Sequence, residues 1–260
     1  MKFTKMHGTG NDYFYINGFE ETVSNPSKLA IKLSDRHFGI GGDGLILILP
    51  SKIADVRMQM FNADGSEGAM CGNGIRCVAK YAYEHSLAKK EKMTIETKSG
   101  IKSLELSVKN GKVDSVTVDM GEAVVGKEVA VTIDGKNYTY LPVNVGNPHA
   151  VLFVDKITDE LVLGVGPKIE KHPNFQDRTN VEFVKAKNRK ELDFRVWERG
   201  SGETMACGTG ACAAVAAGIT KGVLDKKVTV HLKGGDLQIE LKNNHVFMTG
   251  NAVNVFEGEI

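Results

Sequence analysis

Cys71-Gly-Asn-Gly-Ile-Arg-Cys77 and Cys207-Gly-Thr-Gly-Ala-Cys212 are the two stretches that decide how this chain is built. Their first cysteines lie 136 residues apart. The same spacing relates Gly10-Asn11 to Gly146-Asn147, Gly44-Leu-Ile-Leu-Ile-Leu49 to Asn180-Val-Glu-Phe-Val-Lys185, and Phe61-Asn62 to Trp197-Glu198. Four correspondences at one offset, each in the same strand or helix context, predict two similar halves related by an approximate two-fold axis. The expected fold is mixed α/β (α+β), with one half over residues 1–119 and the other over 120–248. On chain length, residues 249–260 return to the first half and complete its sheet.

Outside these stretches, strand signals dominate. β-branched and aromatic runs at Val113–Val118, Val129–Ile133, Tyr138–Val145, Ala150–Val154 and Val228–Leu232 alternate with turn residues. Asn110-Gly111 and Asp134-Gly135 read as two-residue hairpin turns, because both pairs tolerate positive φ. Helices are fewer. Asn25-Pro26 caps and opens one that reaches about Arg36, with others over Gly74–Leu87, Pro167–Lys171 and Gly210–Gly222.

Composition removes several classes of function. Thirty-three basic against 32 acidic residues give no electrostatic pull toward nucleic acid or an anionic membrane. The N-terminus lacks the apolar core of a signal peptide, and the most apolar runs, Leu45–Leu49 and Ala211–Ile219, are far shorter than the ~20 residues that span a bilayer. A cytoplasmic protein with reduced thiols is the expectation. Four cysteines in 260 residues are too few for a disulfide scaffold, and neither pair has zinc-finger spacing, so no metal is expected. Gly39-Ile-Gly-Gly-Asp-Gly44 matches the pattern G-x-G-x-x-G, but a helix precedes it and a strand follows, the reverse of a dinucleotide-binding turn.

The chemistry is expected at Cys71 and Cys207. Each opens an alanine-rich helix through glycines, which allow unusual φ/ψ and close approach of a ligand. A helix N-terminus lowers a thiol pKa, and its N–H groups bind a carboxylate and stabilise charge growing on it. One thiolate can take a proton from a carbon on one face of a shared cleft while a thiol on the other face returns one. That inverts a stereocentre without a cofactor. Cys77 and Cys212, inside their helices, read as packing residues.

The chain resembles the diaminopimelate epimerases. The segments that carry the resemblance are Met6-His-Gly-Thr-Gly-Asn-Asp12, Arg36-His-Phe-Gly-Ile-Gly41, Phe61-Asn-Ala-Asp-Gly-Ser-Glu67, Cys71-Gly-Asn-Gly-Ile-Arg76, Gly146-Asn-Pro-His149, Glu198-Arg-Gly-Ser-Gly-Glu-Thr204 and Ala206-Cys-Gly-Thr-Gly-Ala-Cys212. The resemblance implies halves built as barrel-like sheets around a central helix. It implies pyridoxal-phosphate-independent interconversion of LL- and meso-diaminopimelate, on the route to lysine and peptidoglycan, by a cytoplasmic homodimer. By similarity, Cys71 and Cys207 form the acid/base pair, with His149 and Glu198 tuning the thiols. Gly72, Asn73, Gly208 and Thr209 bind the reacting carboxylate through backbone N–H groups. Asn11, Asn62, Asn147, Asn180, Glu198 and Arg199 contact substrate through side chains, a set whose chemistry suits a zwitterion. Gly44 departs from relatives that carry glutamine there, and cannot supply that contact. Two other readings are a proline or hydroxyproline racemase or epimerase, against which Glu198-Arg199 argue, and a thiol redox or ligand-binding protein without turnover.

Overall fold

A computed structural model describes residues 1–260. The chain divides into two compact units, Met1–Val118 together with Thr249–Ile260, and Asp119–Met248. In the first unit, β1 (Lys2–Gly8), β2 (Asn11–Asn17), β3 (Gly44–Leu49), β4 (Val56–Asn62), the short β5 (Glu67–Gly68), β6 (Lys92–Thr97), β7 (Gly100–Lys109) and β8 (Lys112–Glu122) form the sheet. Neighbours pair antiparallel except β2 with β3 and β4 with β6, which are parallel. Parallel pairing needs a long crossover. Helices α1 (Pro26–Ser34) and α2 (Gly72–Glu84) provide the two crossovers. The last strand, Val253–Glu259, pairs antiparallel with β1 and closes that side of the sheet.

The second unit repeats this plan. β9 (Val124–Val125), β10 (Val129–Ile133), β11 (Lys136–Asn144), β12 (Pro148–Phe153), β13 (Asn180–Asn188), β14 (Glu191–Glu198), β15 (Gly202–Glu203), β16 (Lys227–Leu232), β17 (Gly235–Lys242) and β18 (His245–Gly250) follow in order. Here β12 with β13 and β14 with β16 are the parallel pairs, bridged by a π-helical turn (Glu160–Val165) running into α3 (Gly166–Glu170), and by α4 (Gly208–Thr220). Both α2 and α4 are 13 residues long and begin 136 residues apart. The hairpin turns at Asn110-Gly111 and Asp134-Gly135 have the positive φ angles that the two-residue connection requires.

Each long helix is the inside of its half. Every residue of α2 from Gly72 to Ala82 is buried, and it packs against β1, β2, β3, β4, β6 and β7. Helix α4 is buried from Gly210 to Gly218 and packs against β9, β11, β12, β13 and β17. A helix surrounded in this way is apolar or satisfied on all sides. Arg76, fully buried on α2, donates to Asn251 O, Gly72 O, Asn73 Oδ1 and Thr9 Oγ1. On the outer face of the same sheet, α1 contributes Ala30 and Leu33 to a core with Phe3, Phe14, Ile16, Leu45, Leu47 and Phe61. Strand β3 is therefore covered on both faces, which is why it reads as an unbroken apolar run.

Two details differ from the sequence reading. Both long helices begin two residues earlier than expected, at Gly72 and Gly208, and the expected ends at Leu87 and Gly222 shorten to Glu84 and Thr220. The glycines of both cysteine motifs lie within the first helical turn, and none has a positive φ. Two of them, Gly74 and Gly210, lie close against side chains of the sheet. A Cβ on Gly74 would stand 2.7 Å from Ile46 Cδ1, and one on Gly210 would stand 2.8 Å from Glu182 Oε1. The expectation of unusual backbone angles there is corrected accordingly.

At Gly44 a positive φ of 154° coincides with strand pairing, and a Cβ would lie 2.0 Å from the Phe61 carbonyl oxygen. No side chain fits on this backbone. Gly44→Ala is expected to destabilise the protein by about 3 kcal/mol, through overpacking and backbone strain. A fall in the urea unfolding midpoint at unchanged slope measures this; an unshifted midpoint would show that β3 and β4 separate without cost.

Candidate active site

Helix α2 starts at a cysteine because sulfur can do the work of a capping oxygen. Cys71 has extended backbone angles and its Sγ accepts from Gly74 N at 3.4 Å. In an α-helix the first-turn N–H groups point beyond the reach of the intrahelical ladder. Cys207 repeats the arrangement on α4, its Sγ accepting from Gly210 N at 3.3 Å. Both sulfurs thus sit at the positive end of a helix macrodipole. All four cysteines are thiols, and Cys77 and Cys212 are fully buried. Burial pushes the Cys77 thiol up to about 11.

Around Cys71 the first half gathers Asn11, Tyr13, Asn73 and the loop before β3. Cys71 Sγ donates to Asn11 Oδ1 at 3.1 Å, and the buried Tyr13 hydroxyl lies within hydrogen-bonding reach of both Asn11 and Cys71. Asn73, on the first turn of α2, directs its Oδ1 to Arg76 Nη1 at 3.0 Å and to Thr9 Oγ1 at 3.3 Å. Asn62 closes the turn after β4, donating from Nδ2 to Ser66 Oγ at 3.0 Å.

Around Cys207 the second half gathers Thr209, Asn147, His149 and Glu198. Thr209 Oγ1 lies 3.5 Å from Cys207 Sγ and accepts from Asn147 Nδ2 at 3.3 Å. His149 Nε2 is 3.0 Å from Asn147 Oδ1, and its Nδ1 is 2.7 Å from Glu182 Oε1. Glu198 accepts from the Thr204 hydroxyl, and its carboxylate hydrogen-bonds the Cys207 thiol. Asn180, buried at the start of β13, accepts from Arg199 N at 3.0 Å and donates to Pro148 O at 3.0 Å. One amide hydrogen and one lone pair of its side chain remain for a ligand. The Arg199 guanidinium donates to Asp177 O at 3.1 Å.

The electrostatics of Cys207 correct the sequence reading. A thiol pKa lowered by the helix end was expected; instead burial raises it well above the ordinary value, and the Glu198 and Glu182 carboxylates raise it further. The hydrogen bonds from Thr209 and Gly210 act the other way but are smaller. Glu198 and Glu182 are themselves pushed up, chiefly by burial. Cys207 is a protonated thiol in this state. Removing a nearby negative charge must lower its pKa, so Glu198→Gln should allow alkylation of Cys207 at lower pH than in the wild type. Peptide mapping after pH-dependent alkylation measures this, and an upward shift would refute the assigned electrostatics.

Glu182 and Tyr13 were missed from sequence. Glu182 is fully buried, its Oε2 has no hydrogen-bond partner, and it underlies the first turn of α4 where Ile46 underlies that of α2. A lone charge within Val181-Glu-Phe-Val184 was the available signal. Tyr13 stands 136 residues before His149, so the repeat places phenol and imidazole at equivalent positions. No three His, Cys, Asp or Glu side chains gather as a metal-binding group. No helix is long and apolar enough to cross a membrane.

A family model described as diaminopimelate epimerase matches residues 3–126 and 141–255. The chain belongs to the diaminopimelate epimerase family. It is 54% identical over 275 aligned positions to a diaminopimelate epimerase of Acetivibrio thermocellus, covering 100% of this chain and 98% of that one. It is 49% identical to one of Methanococcus maripaludis over 275 positions, covering 100% and 99%. Family membership makes the chain an isomerase of the epimerase class. Among solved structures, a probable proline racemase of Agrobacterium radiobacter K84 superposes with a TM-score of 0.75 at 15% identity, over 100% of this chain and 92% of that one. A PhzF-family phenazine biosynthesis protein of Bacillus anthracis superposes at 0.74 and 18% identity, over 100% and 98%. At such identities the likeness establishes the fold that these proteins have in common.

Proposed function

We propose that this epimerase interconverts LL- and meso-diaminopimelate by a two-base mechanism without pyridoxal phosphate, with Cys71 and Cys207 as the acid/base pair. The observation that carries the reading is the pair of matched caps: each half of a diaminopimelate epimerase family chain begins its buried helix at a cysteine sulfur. One thiolate removes the α-proton while the other thiol delivers a proton to the opposite face. The two C–H bonds, one broken and one formed, leave the carbon inverted and the roles of the two sulfurs exchanged. The carbanion beside the carboxylate is enolate-like. The first-turn N–H groups of Gly72, Asn73, Gly208 and Thr209 are suited to bind that carboxylate and stabilise its growing charge.

The remaining groups fit a substrate with a charged amino-acid group at each end. Arg199 offers a guanidinium to a carboxylate, Glu198 an acceptor to an ammonium, and Asn11, Asn62, Asn147 and Asn180 amides to either. His149 and Glu198 support the thiols, Glu198 through its hydrogen bond to Cys207 and His149 through Asn147 and Thr209. The two halves, residues 1–119 with 249–260 and residues 120–248, serve in this reading as carriers of one sulfur each. The family relationship supports a place in lysine and peptidoglycan-precursor biosynthesis, in the cytoplasm and as a homodimer.

The deciding measurement is exchange of the α-hydrogen in D₂O, with diaminopimelate and proline offered separately. Exchange is expected with diaminopimelate alone; exchange with proline alone would overturn the reading. Cys71→Ala and Cys207→Ala are each expected to reduce epimerisation by at least ~10³-fold, because each removes an acid/base group from the reaction. Circular dichroism should show both variants folded. Full activity in either variant would exclude the two-base assignment.

A further inference from the structure

Asp43, in the glycine-rich loop before β3, is tied into the surroundings of Cys71. Asp43 Oδ2 accepts from Asn11 Nδ2 at 2.7 Å and from Asp12 N at 3.1 Å. Arg36 Nη2 spans Asp43 Oδ1 and Asp12 Oδ1, both at 3.0 Å. Lys5 completes the group, 2.6 Å from Asp12 Oδ2 and bonded to the carbonyl of Gly41. Two cations thus hold two carboxylates at the entrance to β2 and β3.

This arrangement settles the orientation of Asn11. A carboxylate only accepts, so the Asn11 group that faces Asp43 is the amide NH₂. The carbonyl oxygen must then point the other way, and it meets Cys71 Sγ at 3.1 Å. A carbonyl oxygen cannot donate. Cys71 in this contact is therefore S–H, with its proton on the line to Asn11. We infer that Asp43 is a positioning residue for Cys71: by holding the Asn11 amide with its carbonyl oxygen on the sulfur, it keeps Cys71 in the thiol form before substrate binds. The role rests on the acid/base assignment of Cys71 above, but the thiol's titration can be read without any substrate.

Other groups act on the same thiol. Tyr13 and Tyr15 face it from β2, Cys77 from α2 itself, and Asp43 from the loop, with Asp12, Arg36 and Lys5 behind Asp43. Burial holds both tyrosines well above the ordinary phenol range, so they remain neutral where a thiol titrates. Asp43 and Asp12 are the negative charges on this side, and Arg36 and Lys5 oppose them. Loss of the Asp43 charge and loss of the Asn11 acceptor both favour thiolate, so the direct and relayed effects share a sign.

A double-mutant cycle separates them. In Asp43→Asn the apparent pKa of Cys71, read by pH-dependent alkylation and mapping of its peptide, is expected to fall by about one unit. Asp43→Glu should restore most of the shift. Asn11→Ala should lower the pKa by itself, and Asp43→Asn should add little in that background, because the relay has already been removed. In the epimerase assay, Asp43→Asn should move the alkaline limb of the pH–rate profile to lower pH, with kcat down roughly tenfold at the wild-type optimum. An alkylation profile of Asp43→Asn that overlays the wild type, in a protein that melts normally, overturns the inference. Fully additive shifts in the double variant also overturn it, since Asp43 would then act by its field alone. If wild-type enzyme exchanges no α-hydrogen of diaminopimelate, the functional reading fails while the alkylation cycle still decides the role of Asp43.

Discussion

A sulfur atom accepting the third N–H of a buried helix is the contact on which both halves of this protein depend. It starts the helix at a thiol side chain and fixes where that side chain stands. The contact goes with extended backbone at the cysteine and a following turn close against the sheet, Gly74 over Ile46 in one half and Gly210 over Glu182 in the other. Because each helix is enclosed by its own strands, its N-terminal end is the place where unused N–H groups and the positive end of the dipole can meet a ligand. Barrel-like wrapping and a thiol held at the helix end are two aspects of one packing solution.

Upon that common frame the two halves have diverged where they touch sulfur. Tyr13 in one occupies the place of His149 in the other, Asn62 that of Glu198, and Ile46 that of Glu182. The first half surrounds its thiol with neutral acceptors and a carboxylate kept at one remove, behind Asn11. The second brings Glu198 into direct contact with Cys207 and buries Glu182 behind it, and both raise the thiol pKa. The caps are alike, and the residues around them make the two thiols chemically distinct.

Much of this was legible before any coordinates. The offset of 136 residues predicted the matched helices, since repeated elements need the same number of residues to cross the same sheet. Asn25-Pro26 marked the start of α1, whose cap is Asn25 Oδ1 accepting from Lys28 N at 3.1 Å. The helix-then-strand order expected around Gly39–Gly44 is the one found, with α1 ending at Ser34 and β3 starting at Gly44. Helix starts were misplaced by two residues because a cysteine is not ordinarily counted as a cap, so the glycines were given the turn. Glu182 and Asp43 escaped notice for another reason: each works through a partner distant in sequence, His149 and Asn11, and neither pairing has a local signature.

Sequence by itself determined the internal repeat, with its two matched cysteine motifs, and the epimerase class, because those reside in residue identity and spacing. Tertiary structure alone decided the state of the thiols. A helix end viewed in isolation predicts a lowered pKa, whereas Cys207 is raised because burial removes water and two carboxylates approach it. Desolvation and Coulomb interactions depend on what the fold brings within a few ångströms, and adjacency along the chain does not report that distance.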